Sequence, residues 1–259
     1  MKIIDLSIAT ENGLPSDPPS TIPKITYLTH KDSAEMMADA YQCGLEDIGG
    51  FGWGTELVSF TTHSGTHLDA PWHFYPTMND GEPAMTIDQM PLEWCIGDGV
   101  ILDFSDKGDA YKLTVEDFQE KLAELNYTLK PLDIVFIRSG AADRWGREEY
   151  LVAGCGVSKE ATLWLAGQGV HIMGTDGWSW DIPLPIAARQ YKETGDKSLL
   201  WEAHRAGAHC VYGHIEKLTN LENVPPIGST IVCLPIKVKG ASAGWTRAIA
   251  IIDGPNFRK

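Results

Sequence analysis

The sequence has a deficit of positive charge. Only 21 of its 259 residues are Lys or Arg, against 35 Asp and Glu, which gives a formal net charge of −14. Nucleic acids and anionic membrane surfaces both bind basic protein faces. This balance therefore argues against either as a partner.

Paired cysteines, targeting segments and long apolar runs are also missing. The five cysteines are widely spaced, odd in number and form no C-x-x-C motif, which argues against a disulfide scaffold. The N-terminus turns polar too early for a signal peptide. No run approaches the roughly 18 apolar residues of a membrane span. We therefore expect reduced thiols and a cytoplasmic location.

Short apolar runs bounded by turn residues predict buried strands. These runs lie at 99–104, 133–138, 169–173, 230–234 and 247–253. Two segments rich in turn residues, 12–23 and 180–195, predict long loops. Ordered loops of that length often carry binding sites or lids.

Three helical patterns lie among these runs. Thr114, Ser158 and Ser198 are placed to cap their N-termini, and the third helix would end before Gly207. Strands mixed with helices favour an α/β or α+β fold. Because no interdomain linker is visible, we predict a single domain over residues 1–259.

Histidine is distributed unevenly. His63, His67 and His73 lie within one 11-residue window that also contains Asp69. The proline in this window disfavours a continuous helix, and a straight strand would extend about 33 Å, too far for one site. A segment bent at Gly65 would bring His63 back to the other ligand-type side chains.

The residue types in this window suit a catalytic metal. Two imidazoles and a carboxylate leave open positions on a divalent ion, which polarises a carbonyl oxygen and activates water. His73, four residues beyond the carboxylate, is then placed to accept or donate a proton. For one isolated His a packing role is the better interpretation, but four ligand-type residues in one window favour a metal site.

A second window holds His204, His209 and His214, with Glu216 just beyond. If a helix end and the following strand fold back on each other, His204 and Glu216 reach the first cluster. There they would bind a second metal or contact the ligands of the first. Spacing alone leaves open whether they belong to the site. His209 and His214 alternate poorly with a single face, and we interpret both as structural.

The pattern His-x-Gly-Thr-His-x-Asp-x-Pro-x-His, which runs here from His63 to His73, resembles the cyclase family of metal-dependent hydrolases. That family includes bacterial kynurenine formamidases and isatin hydrolases. Three further segments are similar to family segments: Asp5-Leu-Ser7, 175–181, and the pattern from His204 through Glu216 to Leu221. The resemblance therefore spans nearly the whole chain.

The resemblance implies a fold, an assembly and a set of roles. The fold would be a swivelling β/β/α domain with a mixed sheet, usually in a homodimer. His73 would be the acid/base residue, and the other three residues of its cluster would be metal ligands. In a dinuclear site Asp69 would bridge the two ions, and His204 and Glu216 would complete the ligands of the second ion. Mn²⁺ is the expected ion and Zn²⁺ the alternative, with the number of ions left open.

Tryptophans near the motifs suggest an aromatic substrate. Four of them lie in or near Gly- and Pro-rich stretches: Trp53, Trp72, Trp178 and Trp180. Rigid indoles around a metal suit a flat ring, although packing in a core or an interface is an equal alternative for each.

The loops near the motifs are poor in cations, Arg189 and Arg205 being the exceptions. This favours a neutral lactam over a free amino acid. We therefore predict hydrolysis of isatin to isatinate, with His73 handling the proton of the leaving nitrogen. Hydrolysis of N-formylkynurenine is the alternative.

Two other classes of protein fit parts of the pattern. Non-haem Fe(II) oxygenases also bind iron through two His and one carboxylate, but their usual all-β scaffold does not fit the predicted helices. A non-catalytic metal-binding protein would have no use for His73. Turnover without O₂ would exclude the first class, and metal-dependent hydrolysis of any aromatic amide would exclude the second.

Overall fold

The structure, a computed structural model, describes residues 1–15, 17–19 and 21–252. The strands in chain order are β1 (Lys2–Asp5), β2 (Lys24–Leu28), β3 (Thr55–Ser59), β4 (His67–Asp69), β5 (Thr77–Met78), β6 (Glu82–Pro83), β7 (Ile96–Asp103), β8 (Lys112–Leu113), β9 (Ile134–Arg138), β10 (Gly156–Val157), β11 (Ile172–Thr175), β12 (Gly213–Glu216), β13 (Ser229–Val232), β14 (Ala243–Trp245) and β15 (Ile249–Ile252). The α-helices are α1 (Ala34–Tyr41), α2 (Pro71–Phe74), α3 (Val115–Glu124), α4 (Lys159–Gly167), α5 (Leu184–Thr194) and α6 (Glu202–Arg205). Short 3₁₀ turns cover Ile87–Gln89, Leu92–Cys95, Ala141–Arg144, Glu148–Val152, Lys197–Leu199, Ala206–Ala208 and Leu221–Asn223.

A mixed sheet forms the centre of the described chain. Its nine strands are ordered β1-β15-β13-β7-β9-β11-β12-β4-β14. The central strands β7, β9, β11 and β12 pair in parallel, and the flanking strands pair antiparallel. Parallel strands covered on both faces require nearly continuous apolar sequence, which is why runs such as 133–138 were recognisable.

All five predicted strands correspond to strands of this sheet: β7, β9, β11, β13 and β15. The prediction at 169–173 begins too early, because Gly169 has a φ of +86° and β11 starts only at Ile172. Asp253, the last residue of the prediction at 247–253, lies outside the described residues.

Side chains of the central strands alternate between two buried clusters. On β9, Ile134 and Phe136 pack into one cluster, whereas Val135 and Ile137 pack into the other. This follows from the period of two along a strand. The second cluster lies under α3 and α4, so helices cover that face of the sheet. The predicted α/β class with a mixed sheet is confirmed, and one domain over 1–259 stays a prediction.

Two of the three predicted helices begin where their caps indicate. The Thr114 hydroxyl accepts from the Asp117 N–H, and the Asp117 carboxylate accepts from the Thr114 N–H at 2.9 Å. This reciprocal pair is a capping box at the start of α3. At the start of α4, the Ser158 hydroxyl accepts from the Ala161 N–H at 3.1 Å.

The third predicted helix is wrong. Ser198 lies inside a 3₁₀ turn that Asp196 caps, and the following α6 covers only Glu202–Arg205. Trp201 between them has a φ of +60°. A right-handed helix cannot continue through that left-handed conformation, so the predicted helix is broken.

The predicted loop at 180–195 is wrong over most of its length. Residues Leu184–Thr194 form α5, and its prolines sit at the N-cap (Pro183) and in the first turn (Pro185). Proline is tolerated there because the first helical N–H groups have no partner within the helix. The described residues of the predicted loop at 12–23 are turns and irregular structure, and its Ser16 and Ser20 lie outside the described residues.

No helix within the described ranges combines the length and apolar character needed to cross a membrane. The five cysteines all fall within those ranges and are free thiols. They are Cys43, Cys95, Cys155, Cys210 and Cys233.

Candidate metal centre

The candidate site is built on two neighbouring strands, β4 and β12. Their antiparallel register places His214 opposite Asp69 and Glu216 opposite His67. Because side chains alternate along a strand and directly opposed residues share a face, all four point the same way. The pairing of two short strands therefore concentrates four buried ligand-type side chains in one patch.

His63 reaches this patch through a bend in the chain. Gly65 has a φ of +68°, which gives the bend predicted at this position. The Nδ1 atom of His63 lies 2.8 Å from Oδ1 of Asp69. Its other ring nitrogen lies 2.9 Å from the hydroxyl of Ser242, which fixes the orientation of the imidazole.

His73 lies on α2, directly after the ligand strand. The helix begins at Pro71, and Nε2 of His73 is 3.8 Å from Oδ2 of Asp69. Burial lowers the pKa of His73 to about 4, against the opposing effect of the Asp69 charge. The imidazole is therefore neutral at pH 7 and can accept a proton.

His204 comes from α6 and is oriented by Asp181. The Asp181 carboxylate contacts Nδ1 of His204 and accepts the backbone N–H groups of Ala203 and His204. Nε2 of His204 then lies 3.7 Å from Oε1 of Glu216. A carboxylate that holds the far ring nitrogen in this way is typical of metal-binding histidines.

Several polar atoms at the centre are buried without a hydrogen bond of good geometry in the described chain, although other ligand-type atoms lie close to them. The atoms without such a bond are Nε2 of His67, both carboxylate oxygens of Asp69 and both ring nitrogens of His214. The other nitrogen of His67, Nδ1, lies 2.8 Å from the Gly65 carbonyl oxygen and donates to it, which leaves the lone pair of Nε2 for another partner. Unpartnered buried polar atoms are costly, and a bound cation is the partner that lone pairs on both oxygen and nitrogen can share.

The side chains divide into two possible ligand groups that share Asp69. One group comprises Asp69, His204, His214 and Glu216, and the other comprises His63, Asp69 and His73. Within each group the ligand atoms lie within 4.8 Å of one another. Imidazole and carboxylate donors suit both Mn²⁺ and Zn²⁺, so the residues present fit a divalent ion.

Both carboxylates of the centre are ionised at neutral pH. Burial opposes ionisation of Glu216, but His214 beside it brings the pKa of Glu216 down to about 2. For Asp69, the surrounding histidines outweigh burial and hold the pKa well below its usual range. The centre thus offers two negative charges to a cation.

The structure brings together all six residues that the sequence proposed as ligands or acid/base, and it adds His214. Nε2 of His214 lies 3.3 Å from both Asp69 and Glu216, so this histidine, which the sequence suggested to be structural, lies within the cluster. The signal that could have located it is its spacing of two from Glu216, which puts both on one face of a strand. His209 lies outside the site, paired with Asp80 at the surface.

A cavity of about 430 Å³ opens onto the histidine cluster. This volume is in the range of small-molecule sites. The residues that line it are Asp17, Pro18, Thr21, His63, His73, Trp178, Ser179, Leu184, Trp201, His204, Glu216 and Lys217.

Of the four tryptophans predicted to contact substrate, only Trp178 borders this cavity. Trp180 is fully buried behind the site, where its indole N–H donates to the Thr162 hydroxyl at 3.0 Å. Trp72 borders a separate surface depression, and Trp53 is half-exposed elsewhere. The sequence missed Trp201, whose indole stacks on His204 with a centroid separation of 4.3 Å.

Lys217 is the cation that the sequence analysis overlooked. It lines the cavity, yet its ammonium is paired with Asp17 and donates to the His63 carbonyl oxygen at 3.0 Å. Neither Arg189 nor Arg205 is among the residues that line the cavity.

Comparison with known proteins places these features in context. The family model described as "Putative cyclase" matches residues 4–182. The kynurenine formamidase of Erythrobacter litoralis (strain HTCC2594) is 29% identical over 195 residues, covering 74% of each chain. That of Salinibacter ruber (strain DSM 13855 / M31) is 27% identical over 199 residues, covering 77% of this chain and 80% of the relative.

Solved structures share the fold. An isatin hydrolase bound to the product analogue thioisatinate superposes with a TM-score of 0.76 at 19% identity, covering 96% of this chain and 91% of that one. Isatin hydrolase A from Ralstonia solanacearum gives a TM-score of 0.75 at 23% identity, covering 97% and 92%.

Proposed function

The chain belongs to the cyclase family, and from this premise we propose that it is a metal-dependent amidohydrolase acting on small aromatic amides, with isatin as its substrate. The observation that carries the proposal is the buried cluster around Asp69. Five of its buried polar atoms, on His67, Asp69 and His214, make no hydrogen bond of good geometry in the described chain, and the cluster opens onto a cavity of small-molecule size. Such a centre suits amide hydrolysis, because a bound ion polarises the carbonyl of an amide that otherwise reacts slowly with water.

The ligands of the proposed ion come from the first histidine window. We assign His63, His67 and Asp69 to one ion, with His67 in place of His73 because its Nε2 lies 3.2 Å from Oδ1 of Asp69. His204 and Glu216, with His214, form a second ligand set that shares Asp69. Mn²⁺ is the proposed ion and Zn²⁺ the alternative. When bound, such an ion polarises an amide carbonyl and lowers the pKa of water.

The chain's own residues handle the proton and the aromatic ring. His73 faces the cavity with a neutral imidazole, so its Nε2 can accept a proton during attack and return it to the leaving nitrogen. Trp178 and Trp201 offer indole surfaces to a planar ring. Asp181 and Ser242 keep His204 and His63 in the orientations described above.

The charge of the cavity favours a neutral substrate. Lys217 is the one cation among the described residues that line it, and Asp17 already neutralises that charge. Isatin carries no charge, whereas N-formylkynurenine has a carboxylate that would find no free cation here. N-formylkynurenine stays a second candidate, because the curated relatives reported above are named kynurenine formamidases.

A side-by-side assay tests the proposal. The protein is loaded with Mn²⁺ or Zn²⁺, its metal content is measured, and hydrolysis of isatin and of N-formylkynurenine is followed with and without O₂. We expect isatin to be hydrolysed faster and O₂ to have no effect. If N-formylkynurenine is hydrolysed faster than isatin, N-formylkynurenine replaces isatin as the proposed substrate. A fully loaded protein that hydrolyses neither amide would refute the amidohydrolase assignment.

We further propose that the protein acts as a homodimer in the cytoplasm. The hairpin of β2 and β3 exposes large apolar side chains on both of its faces, with Tyr27 and Val58 on one face and Leu57 on the other. Exposed apolar patches of this kind commonly mark protein–protein contacts. The free thiols suit a reducing compartment.

A further inference from the structure

A buried ion pair lies at the edge of the cavity. Lys217 directly follows Glu216, and only 2% of its side chain is exposed. Its ammonium donates to the carboxylate of Asp17, itself 4% exposed, and to the His63 carbonyl oxygen at 3.0 Å. An ammonium so far removed from water requires a charged partner, and Asp17 provides it.

Asp17 belongs to the segment that forms one wall of the cavity. Asp17, Pro18 and Thr21 all line it. The wall is also held at a second point, where the Ser64 hydroxyl donates to the Thr21 carbonyl oxygen at 2.7 Å. Because of this second attachment, the wall does not depend on the ion pair alone.

Among the described residues that line the cavity, no cationic side chain is free to bind a substrate carboxylate. The carboxylates of Glu216 and Asp69 belong to the metal centre, and Lys217 is the one cation among the described lining residues. As long as Asp17 occupies its ammonium, a substrate carboxylate placed beside Lys217 would meet the negative charge of Asp17. A site can select its ligand by such repulsion as well as by attraction.

We propose that Asp17 is a specificity-determining residue, which makes the cavity select uncharged aromatic amides by occupying the ammonium of Lys217. This inference rests on the proposed amidohydrolase function. The new element is that the selectivity depends on the carboxylate of Asp17. When that carboxylate is removed, Lys217 can bind the carboxylate of a ligand instead. Hydrogen bonds to charged groups correspond to roughly tenfold to hundredfold in affinity, which sets the expected size of the effect.

The first experiment measures binding without turnover. Metal-loaded wild type, Asp17→Ala and the double variant Asp17→Ala/Lys217→Met are melted in sodium acetate and in sodium chloride of equal ionic strength. We expect acetate to raise the Tm of Asp17→Ala relative to chloride, and to have no such effect in the other two proteins. All three proteins contain the metal, so a difference in their response to acetate reports on the ammonium of Lys217.

An equal response to acetate in Asp17→Ala and the double variant, or no response in Asp17→Ala, would overturn the proposal. Asp17→Ser, which keeps a hydrogen-bonding group, replaces Asp17→Ala if that variant does not fold. If neither variant folds in chloride, acetate-dependent recovery of folded protein supports the proposal, and its failure refutes it.

The second experiment measures specificity with two aryl formamides that differ by one carboxylate, formanilide and 2-formamidobenzoate. We expect wild type to prefer formanilide. In Asp17→Ala the ratio of kcat/KM for the acid over the neutral amide should rise about tenfold or more, and Lys217→Met should cancel the gain. The matched control is Asp98→Ala, which breaks a Lys–Asp pair remote from the cavity and should leave the ratio unchanged.

An unchanged or lower ratio in Asp17→Ala would refute the specificity role. If wild type hydrolyses neither formamide, the assay with isatin and N-formylkynurenine decides the proposed function. The acetate experiment then decides alone whether Lys217 accepts an external carboxylate once Asp17 is gone.

Discussion

Asp69 is the residue at which the two ligand groups meet. Its carboxylate is fully buried, and the rings of His63, His67 and His214 approach it to between 2.8 and 3.3 Å. His73 stands slightly farther away, at 3.8 Å, and faces the cavity. His73 is close enough to Asp69 to belong to a possible ligand group, and the proton-transfer role proposed for it rests on the resemblance and on its place in the cavity.

We expect His73→Ala to retain metal and lose most turnover. General acid–base groups contribute about 10²- to 10⁴-fold to a rate, so kcat should fall by that factor. Metal analysis of the variant alongside steady-state kinetics tests this. Wild-type rates at full metal occupancy would remove His73 from the mechanism. His209→Ala is the control, since that histidine is at the surface and its loss should change neither quantity.

Asp181→Asn should weaken binding of a metal at His204 without abolishing it. The carboxylate holds Nδ1 of His204, and loss of such an orienting partner typically reduces metal affinity about 10- to 100-fold. Titration with Mn²⁺ or Zn²⁺ followed by calorimetry measures the change. Unaltered affinity would show that His204 is not a ligand.

Among the elements, the pairing of β4 with β12 organises the centre. A shift of one residue in their register would turn the opposing side chains to the other face of the sheet. The bend at Gly65 then returns His63 to the same patch, and α2 continues directly to His73. These three features place the segment from His63 to His73 around the centre. The remaining side chains of the centre come from β12 and α6.

Gly65→Ala should destabilise both the fold and the metal site. A left-handed φ costs an L-residue about 1–2 kcal/mol, and the new Cβ would lie 2.9 Å from the Thr10 hydroxyl oxygen. Urea unfolding should report a loss of about that size, together with weaker metal binding because His63 is displaced. Gly108→Ala is the control, since nothing lies within 4 Å of a Cβ there. Equal effects in the two variants would argue against a special role for the bend.

At the scale of the whole molecule, the proposed metal centre predicts a link between metal binding and stability. The Asp69 carboxylate and the His214 imidazole lie in the interior, and their polar atoms make no hydrogen bond of good geometry in the described chain. A ligand that binds only the native state stabilises it by about 2.7 kcal/mol at a free concentration one hundred times its Kd. Metal bound at the proposed centre would therefore stabilise the folded protein.

We expect chelation to lower the Tm of the loaded protein. EDTA should shift the unfolding transition down, and Mn²⁺ or Zn²⁺ in excess over the chelator should restore it. The double variant His67→Ala/Asp69→Ala should show no difference between the two conditions. A transition that does not move when the metal content falls to zero would contradict the proposed centre.

The proposed homodimer is testable through its exposed hairpin. Leu57 and Val58 on β3 are both largely exposed, so Leu57→Asp/Val58→Asp should shift the protein from dimer to monomer. Sedimentation velocity measures the change, and Leu92→Asp, at another exposed leucine, is the control. A wild-type protein that sediments as a monomer would refute the dimer.

The sequence by itself determined the features that depend on local chemistry. The window from His63 to His73 contains both the ligand-type residues and the glycine at which the chain bends, all within eleven residues. The continuous apolar runs identified the central strands of the sheet. The caps of α3 and α4 were recognisable because each hydrogen bond joins residues three apart. Where local signals conflict, as at α5 and Trp201, packing overrode them and the predictions were wrong.

Residues that meet through long-range contacts could be identified only from the folded chain. His214 joined the centre through the register of β12 with β4, whose paired residues lie about 150 positions apart in the chain. Lys217 and Asp17 are 200 positions apart, and no local pattern marks them as partners. Trp201 rather than Trp72 borders the cavity, because the path of the backbone and not composition sets the direction of a side chain.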